Sequence, residues 1–151
     1  MKYKRLHNVA KKIDELRLKK NINRNRILKL LEKFNPEFIG SGAFKRCFKV
    51  KANKRYLVLK VGRRGFERDY DHFLLAKGKH KLRYAKIYWV TDNCLLQKFA
   101  SSSEGYTREE YEELKREWKK AGYVDVRSGN IGKINGMLHA FDVSESRRNC
   151  K

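Results

Sequence analysis

The chain has 151 residues, with 38 Lys and Arg against 17 Asp and Glu, a formal net charge of +21. Hydrophobic residues at 40% and aromatics at 12% argue against a disordered tail, and the length suits one core-bearing domain but is short for a two-lobed enzyme. No run approaches the ~20 apolar residues of a membrane span, and Cys47, Cys94 and Cys150 are odd in number and lack metal-ligand spacing, which argues against a disulfide scaffold or zinc site.

The positive field favours nucleic acid, acidic membrane surfaces or phosphorylated partners. With no apolar leader after the basic start, the expectation is a soluble, intracellular, cytoplasmic protein with free thiols.

From Lys4 to Lys20 the apolar positions Leu6, Val9, Ile13 and Leu16 or Leu18 recur every three to four residues, predicting an amphipathic helix with a lysine face. A polar break, Asn21 to Asn25, precedes a second helix from about Arg24 to Phe34 with Ile27, Leu28, Leu30 and Leu31 inward. Asn35-Pro36 ends it, because proline disfavours a helical predecessor. Residues 1–36 therefore form a basic helical extension. It serves either as a packing layer, the favoured role, or as an arm for nucleic acid or ribonucleoprotein.

Phe38 to Val50 holds two strand-like runs joined across Gly40-Ser41-Gly42, and a turn at Ala52-Asn53-Lys54 leads to a third strand, Arg55 to Val61. Glycines at such a turn let backbone amides approach phosphate oxygens, although Gly-x-Gly alone is ordinarily a tight turn. Alternation places Lys60 on the face of Val58, opposite Leu57 and Leu59. A helix from about Phe66 to Lys77 follows, with Phe66, Tyr70, Phe73 and Leu74 inward. Gly78 to Arg83 is a loop. Strands Tyr84 to Val90 and Cys94 to Phe99 flank the turn Thr91-Asp92-Asn93. After the link Ser101 to Gly105, Thr107 and Glu110 form a capping box for a helix from Arg108 to Ala121 that presents Tyr111, Leu114 and Trp118 on one face.

The segment Gly122 to Ser144 is the most specific. Asn135-Gly136 tolerates the positive φ angles of a two-residue hairpin turn between Ile131 to Ile134 and Met137 to Phe141. That hairpin returns Asn130 and Asp142 to one end. Two oxygen ligands there could hold Mg²⁺ while Asp125, five residues before Asn130, stays available to orient a hydroxyl. The plainer alternative is that Asp and Asn populate turns because their side chains bond the local backbone.

Asp125, Asn130 and Asp142 resemble the catalytic loop Asp-x-x-x-x-Asn and the metal-binding Asp of the protein-kinase-like superfamily. The resemblance extends from about Phe38 to Ser144 in the family's order: the glycine turn Gly40-Ser41-Gly42, the third-strand Lys60, Glu67 on the following helix, and a hinge at Lys98, Phe99 and Ala100. It implies an α+β, kinase-like fold, with a small lobe at 37–100, an antiparallel sheet with one helix, and a truncated, mostly helical large lobe at 101–151. It implies ATP and Mg²⁺ as cofactors and a protein Ser/Thr hydroxyl as acceptor. Lys60 paired with Glu67, or with Asp71, holds the phosphates, Asn130 and Asp142 hold the metal, Asp125 orients the hydroxyl, and Arg127 neutralises developing charge.

The sequence departs from the family at three places: Lys45 replaces the third loop glycine, Tyr123-Val124 stands for His-Arg, and Val143-Ser144 follows the metal Asp. The short stretch after Asp142 leaves no activation segment, which also fits a nucleotide-binding regulatory module. A reduced kinase of this kind resembles those of compact, viral genomes. A basic protein that binds nucleic acid or ribonucleoprotein is the third possibility.

Overall fold

The computed structural model describes residues 1–16, 23–41, 45–102, 104–123 and 126–142. The architecture is α+β, and the chain divides into two compact units, Met1–Tyr70 with Lys86–Phe99, and Asp71–Ala85 with Ala100–Lys151. Among the described residues no helix is long and apolar enough to cross a membrane.

The first unit is built on a five-stranded antiparallel sheet. Its strands are β1 (Glu37–Ser41), β2 (Lys45–Ala52), β3 (Arg55–Gly62), β4 (Ile87–Val90) and β5 (Cys94–Lys98), in spatial order β1-β2-β3-β5-β4. The β2–β3 hairpin closes through Asn53 and Lys54, both with positive φ, as a tight two-residue turn requires. Central β3 is covered on both faces, so Leu57, Val58, Leu59, Lys60 and Val61 are all buried.

Two helices, α1 (Lys4–Glu15) and α2 (Arg24–Leu30), complete one face of this sheet. Leu6, Ala10 and Ile13, spaced by four and three, share a single cluster with Ile27, Leu31, Phe48, Val50, Leu57, Leu59, Val61 and Leu96. Burying each such aliphatic side chain contributes ~1.5–3 kcal/mol, so these helices are a packing layer rather than an appended arm. The polar anchor is Asp14. Its Oδ1 accepts from Thr91 Oγ1 at 3.0 Å and from the Asn93 amide at 2.8 Å, tying α1 to the β4–β5 turn.

The first helix is helical only to Glu15, and Leu18 and Lys20 lie outside the described residues. The second starts behind Asn23, whose side chain accepts from the Arg26 amide at 3.1 Å. It tightens to a 3₁₀ turn, Glu32–Phe34, instead of continuing as α-helix to Phe34, and left-handed Asn35 (φ 49°) ends it ahead of Pro36. Leu28 and Leu30 are half-buried against the core rather than inside it.

Helix α3 (Glu67–Leu75) starts in the first unit and its later turns belong to the second. Phe66 and Phe73 are buried as expected, but Leu74 is 49% exposed and His72 is buried instead. A π-helical turn, Ala76–His80, occupies the start of the expected loop. Only Ile87–Val90 of the expected Tyr84–Val90 strand is in the sheet, since Tyr84 makes an isolated parallel bridge to Ala140 in the second unit.

The second unit also contains α4 (Arg108–Lys120), a 3₁₀ turn Ser128–Asn130, and the hairpin β6 (Ile131–Ile134) and β7 (Met137–Ala140). The capping box is complete: Thr107 Oγ1 accepts from the Glu110 amide at 3.1 Å, and Glu110 Oε1 accepts from the Thr107 amide at 2.9 Å. Leu114 and Trp118 are fully buried, and the Tyr111 hydroxyl donates to the Val126 carbonyl at 2.9 Å. Trp118 stacks edgewise or tilted on Tyr84 and Tyr123, with Phe73 on Tyr84 and His72 on Tyr123.

Candidate functional site

In the second unit the hairpin assembles the metal-ligand candidates. Asn135 and Gly136 have φ of 52° and 77°, and the strands pair in register from Ile134 with Met137 to Ile131 with Ala140. The ladder extends one step further, because the Phe141 amide donates to the Asn130 carbonyl at 2.9 Å. Asn130 and Asp142 therefore leave the hairpin at the same end, both half-buried. The Asn130 amide donates to the Arg127 carbonyl at 2.9 Å, closing the 3₁₀ turn, and Arg127 is exposed. Phe141 packs against Ala85, Ala100 and Ile134, which fixes the backbone just before Asp142.

Asp125 and Val124 lie outside the described residues, as do Gly42 and Val143-Ser144. Tyr123 is buried against Trp118 and His72. It also lines a groove with Val126, Glu112, Lys115, Arg116 and Lys119 along the exposed side of α4.

The hinge candidate Ala100 is buried and tightly held. Ser101 and Lys133 exchange backbone hydrogen bonds of 3.0 and 2.7 Å. Gly132 lies so close that an added Cβ would stand 2.7 Å from the carbonyl carbon and oxygen of Ala100. An isolated glycine within a strand is the sequence signal for such an approach, and Gly132 carries it. Lys133 in turn pairs with Glu110 at 3.2 Å. The Glu110 carboxyl is held below its usual range, first by the Thr107 amide and then by Lys133.

In the first unit Lys60 is 4% exposed. It is paired across β3 with Cys47 on one side and Leu95 on the other, and it takes the face opposite the helix-covered cluster of Leu57, Leu59 and Val61. Glu67 is exposed, and its carboxylate occupies the space above Gly65 where a side chain there would begin. Asp71, the alternative partner, is exposed as well. Gly40 follows an irregularity in the β1–β2 ladder between Phe38 and Gly40, and no protein atom lies within 4 Å of where its Cβ would be. Ser41, beside it, is exposed. The Lys98 amide donates to the Lys86 carbonyl at 2.8 Å, so that hinge donor is already used within the sheet.

The hairpin end of the face that carries Lys60 holds a second cluster, which leaves the cover of central β3 and reaches solvent at Lys51 and Tyr56. The Lys49 ammonium stands 4.4 Å from the Tyr56 ring centre and 4.3 Å from that of Phe99. Lys51 lies 5.3 Å from Tyr56. The thiols have different settings: Cys47 is half-buried and in no disulfide, while burial, reinforced by Asp14, pushes the Cys94 thiol far up. Cys150 is outside the described residues.

Among the described residues no three His, Cys, Asp or Glu side chains gather as a metal centre. No protein-family model matches the chain, and no curated protein matches it.

Proposed function

We propose that the protein is an ATP- and Mg²⁺-dependent phosphotransferase of the protein-kinase-like type, acting on a protein Ser/Thr hydroxyl or on itself. The observation that carries this reading is the Phe141-to-Asn130 hydrogen bond, which delivers Asn130 and Asp142 to one hairpin end. An amide oxygen and a carboxylate are hard donors, suited to Mg²⁺, which uses one or two carboxylates and completes its shell with water and phosphate. Bound there, Mg²⁺ would neutralise phosphate charge.

The chain's own residues take the remaining roles. A buried ammonium at Lys60 holds phosphate oxygens, Gly40 and Ser41 with Gly42 cover them, and Phe99 and Ala100 meet the base edge. Asp125 accepts a hydrogen bond from the acceptor hydroxyl and takes up its proton as the phosphoryl group transfers, and exposed Arg127 screens the charge that develops.

A nucleotide-binding regulatory module is the second reading. It is favoured by the exposed Glu67, whose carboxylate is turned over Gly65.

The test is thermal stability with and without ATP and Mg²⁺. Binding to the folded chain alone adds about 2.7 kcal/mol at a hundredfold excess over Kd. Lys60→Met and Asp142→Asn should each diminish the rise in Tm. An unchanged rise in both variants refutes the site.

A further inference from the structure

We infer that the exposed face of β2 and β3 near their hairpin is a docking surface for single-stranded nucleic acid, with Tyr56 as the stacking platform and Lys49 and Lys51 as the phosphate contacts.

The inference starts from charge. Between Glu37 and Glu67 the chain has no carboxylate, while Lys45, Arg46, Lys49, Lys51, Lys54 and Arg55 all fall in the first two-thirds of that span. Pairing then sorts them. In the regular β2–β3 ladder Lys51 faces Tyr56 and Lys49 faces Val58, so these four alternate positions share one side of the sheet. The opposite side, with Phe48, Val50, Leu57 and Leu59, is buried under α1 and α2.

Tyr56 is 49% exposed on this side, and Lys49 bridges it to Phe99, the two rings being 6.4 Å apart. An aromatic ring left half in solvent beside cations is what a flexible polyanion with flat bases requires. The base stacks on the ring while its neighbouring phosphates meet the ammonium groups. An acidic peptide would satisfy the lysines but offer nothing planar to Tyr56. A duplex hides its base faces. Single-stranded RNA or DNA is therefore the partner that matches both halves of the surface. Tyr56, Lys49 and Lys51 have no role in the proposed phosphotransfer site, although Phe99, which Lys49 also touches, does; loss of single-strand binding in Tyr56→Leu with ATP binding unchanged separates the two proposals.

The experiment is fluorescence anisotropy with a labelled 16-nucleotide single-stranded RNA of mixed sequence, its duplex form and a poly-glutamate competitor, using the full chain. Tyr56→Leu keeps an apolar side chain and removes the ring, and should weaken single-strand binding at least about fivefold, as loss of one stacked base does. Lys49→Ala with Lys51→Ala should lower the slope of log affinity against log salt by about 1.4, roughly 0.7 per lost phosphate contact. The control, Lys11→Ala with Lys12→Ala, removes the same charge from exposed positions of α1 and should change the slope far less. Photocrosslinking of a 5-bromouridine single strand to the wild-type chain, mapped by mass spectrometry, should mark Tyr56 and needs no variant to fold. The inference is overturned if the α1 pair costs as much as the strand pair while Tyr56→Leu costs nothing. It is equally overturned if duplex or poly-glutamate binds more tightly than the single strand, or if crosslinks avoid Tyr56.

Discussion

Gly132 runs against the backbone of Ala100 so closely that a Cβ at position 132 would meet the Ala100 carbonyl at 2.7 Å and its side chain at 2.9 Å. Backbone cannot swing aside as a flexible side chain can. Gly132→Ala should therefore push β6 away from residues 100–101 and cost ~1–3 kcal/mol, the range for overpacking. Ser101 and Lys133 amides should lose protection from hydrogen exchange in the same variant. Wild-type stability with wild-type protection would show that the approach is not constrained.

Gly40→Ala makes the opposite case. The space around Gly40 is open, so the substitution should leave chemical-denaturation stability within about 0.5 kcal/mol of wild type. If the β1–β2 turn covers phosphates, the same methyl should weaken ATP binding roughly fivefold, about 1 kcal/mol. Titration calorimetry beside denaturation separates the two effects. A variant that loses stability but keeps nucleotide affinity would make Gly40 a structural glycine.

Asp125 and Asp142 have different roles in the proposed reaction, and matched substitutions distinguish them. Asp125→Asn should bind ATP normally while transfer of radiolabelled γ-phosphate, to itself or to an added protein, falls by ~10²–10⁴. Asp142→Asn should lose binding and transfer together. Nucleotide binding without transfer by the wild type, across a range of acceptors, would favour the regulatory module.

The Glu110 carboxylate gives a pH signature. Its folded-state pKa is lowered by the Thr107 amide and by Lys133, so its contribution is complete above its unfolded pKa, about 4.3, and fades as pH falls through the lowered folded value. Glu110→Gln should therefore trail wild type in Tm above about pH 5, with the gap closing as the solution becomes more acidic. A gap independent of pH would mean that the charge contributes nothing.

The N-terminal helices should behave as core. Ile13→Ala, at a fully buried position of α1, should cost ~2–5 kcal/mol, whereas Lys11→Ala should stay within about 0.5 kcal/mol. Similar small effects from both would return α1 to the status of an arm.

Local chemistry was legible in the sequence where the residues involved are close in the chain. Asn135-Gly136 dictates its own turn, Thr107 and Glu110 cap each other across one helical turn, and strand alternation puts Lys60 opposite Leu57 and Leu59. Readings failed where a distant partner decides. Tyr84 reads as the start of a strand to Val90, but its bridge is to Ala140, far along the chain. Leu74 reads as an inward position of its helix. The helix instead buries His72, a polar residue whose ring meets Tyr123 edgewise, and that rotation carries Leu74 to solvent. The setting of Glu67 depends on Gly65, which leaves room for the carboxylate to fold back, and no periodicity reveals a side-chain direction of that kind.

The attachment of Asp14 to the Thr91–Asn93 turn constrains the order in which the chain acquires structure. The bond from the Asn93 amide spans 79 positions of sequence, and the helix it fixes covers strands that include β5, made well after α1 itself. On the ribosome, α1 emerges with its apolar stripe exposed and waits until β5 is synthesised before that stripe can be fully covered. At ~5–20 residues per second that interval is on the order of ten seconds. Lys4, Arg5, Lys11 and Lys12 border that stripe, and like charge of this kind disfavours contact between two such helices until β5 arrives to cover it.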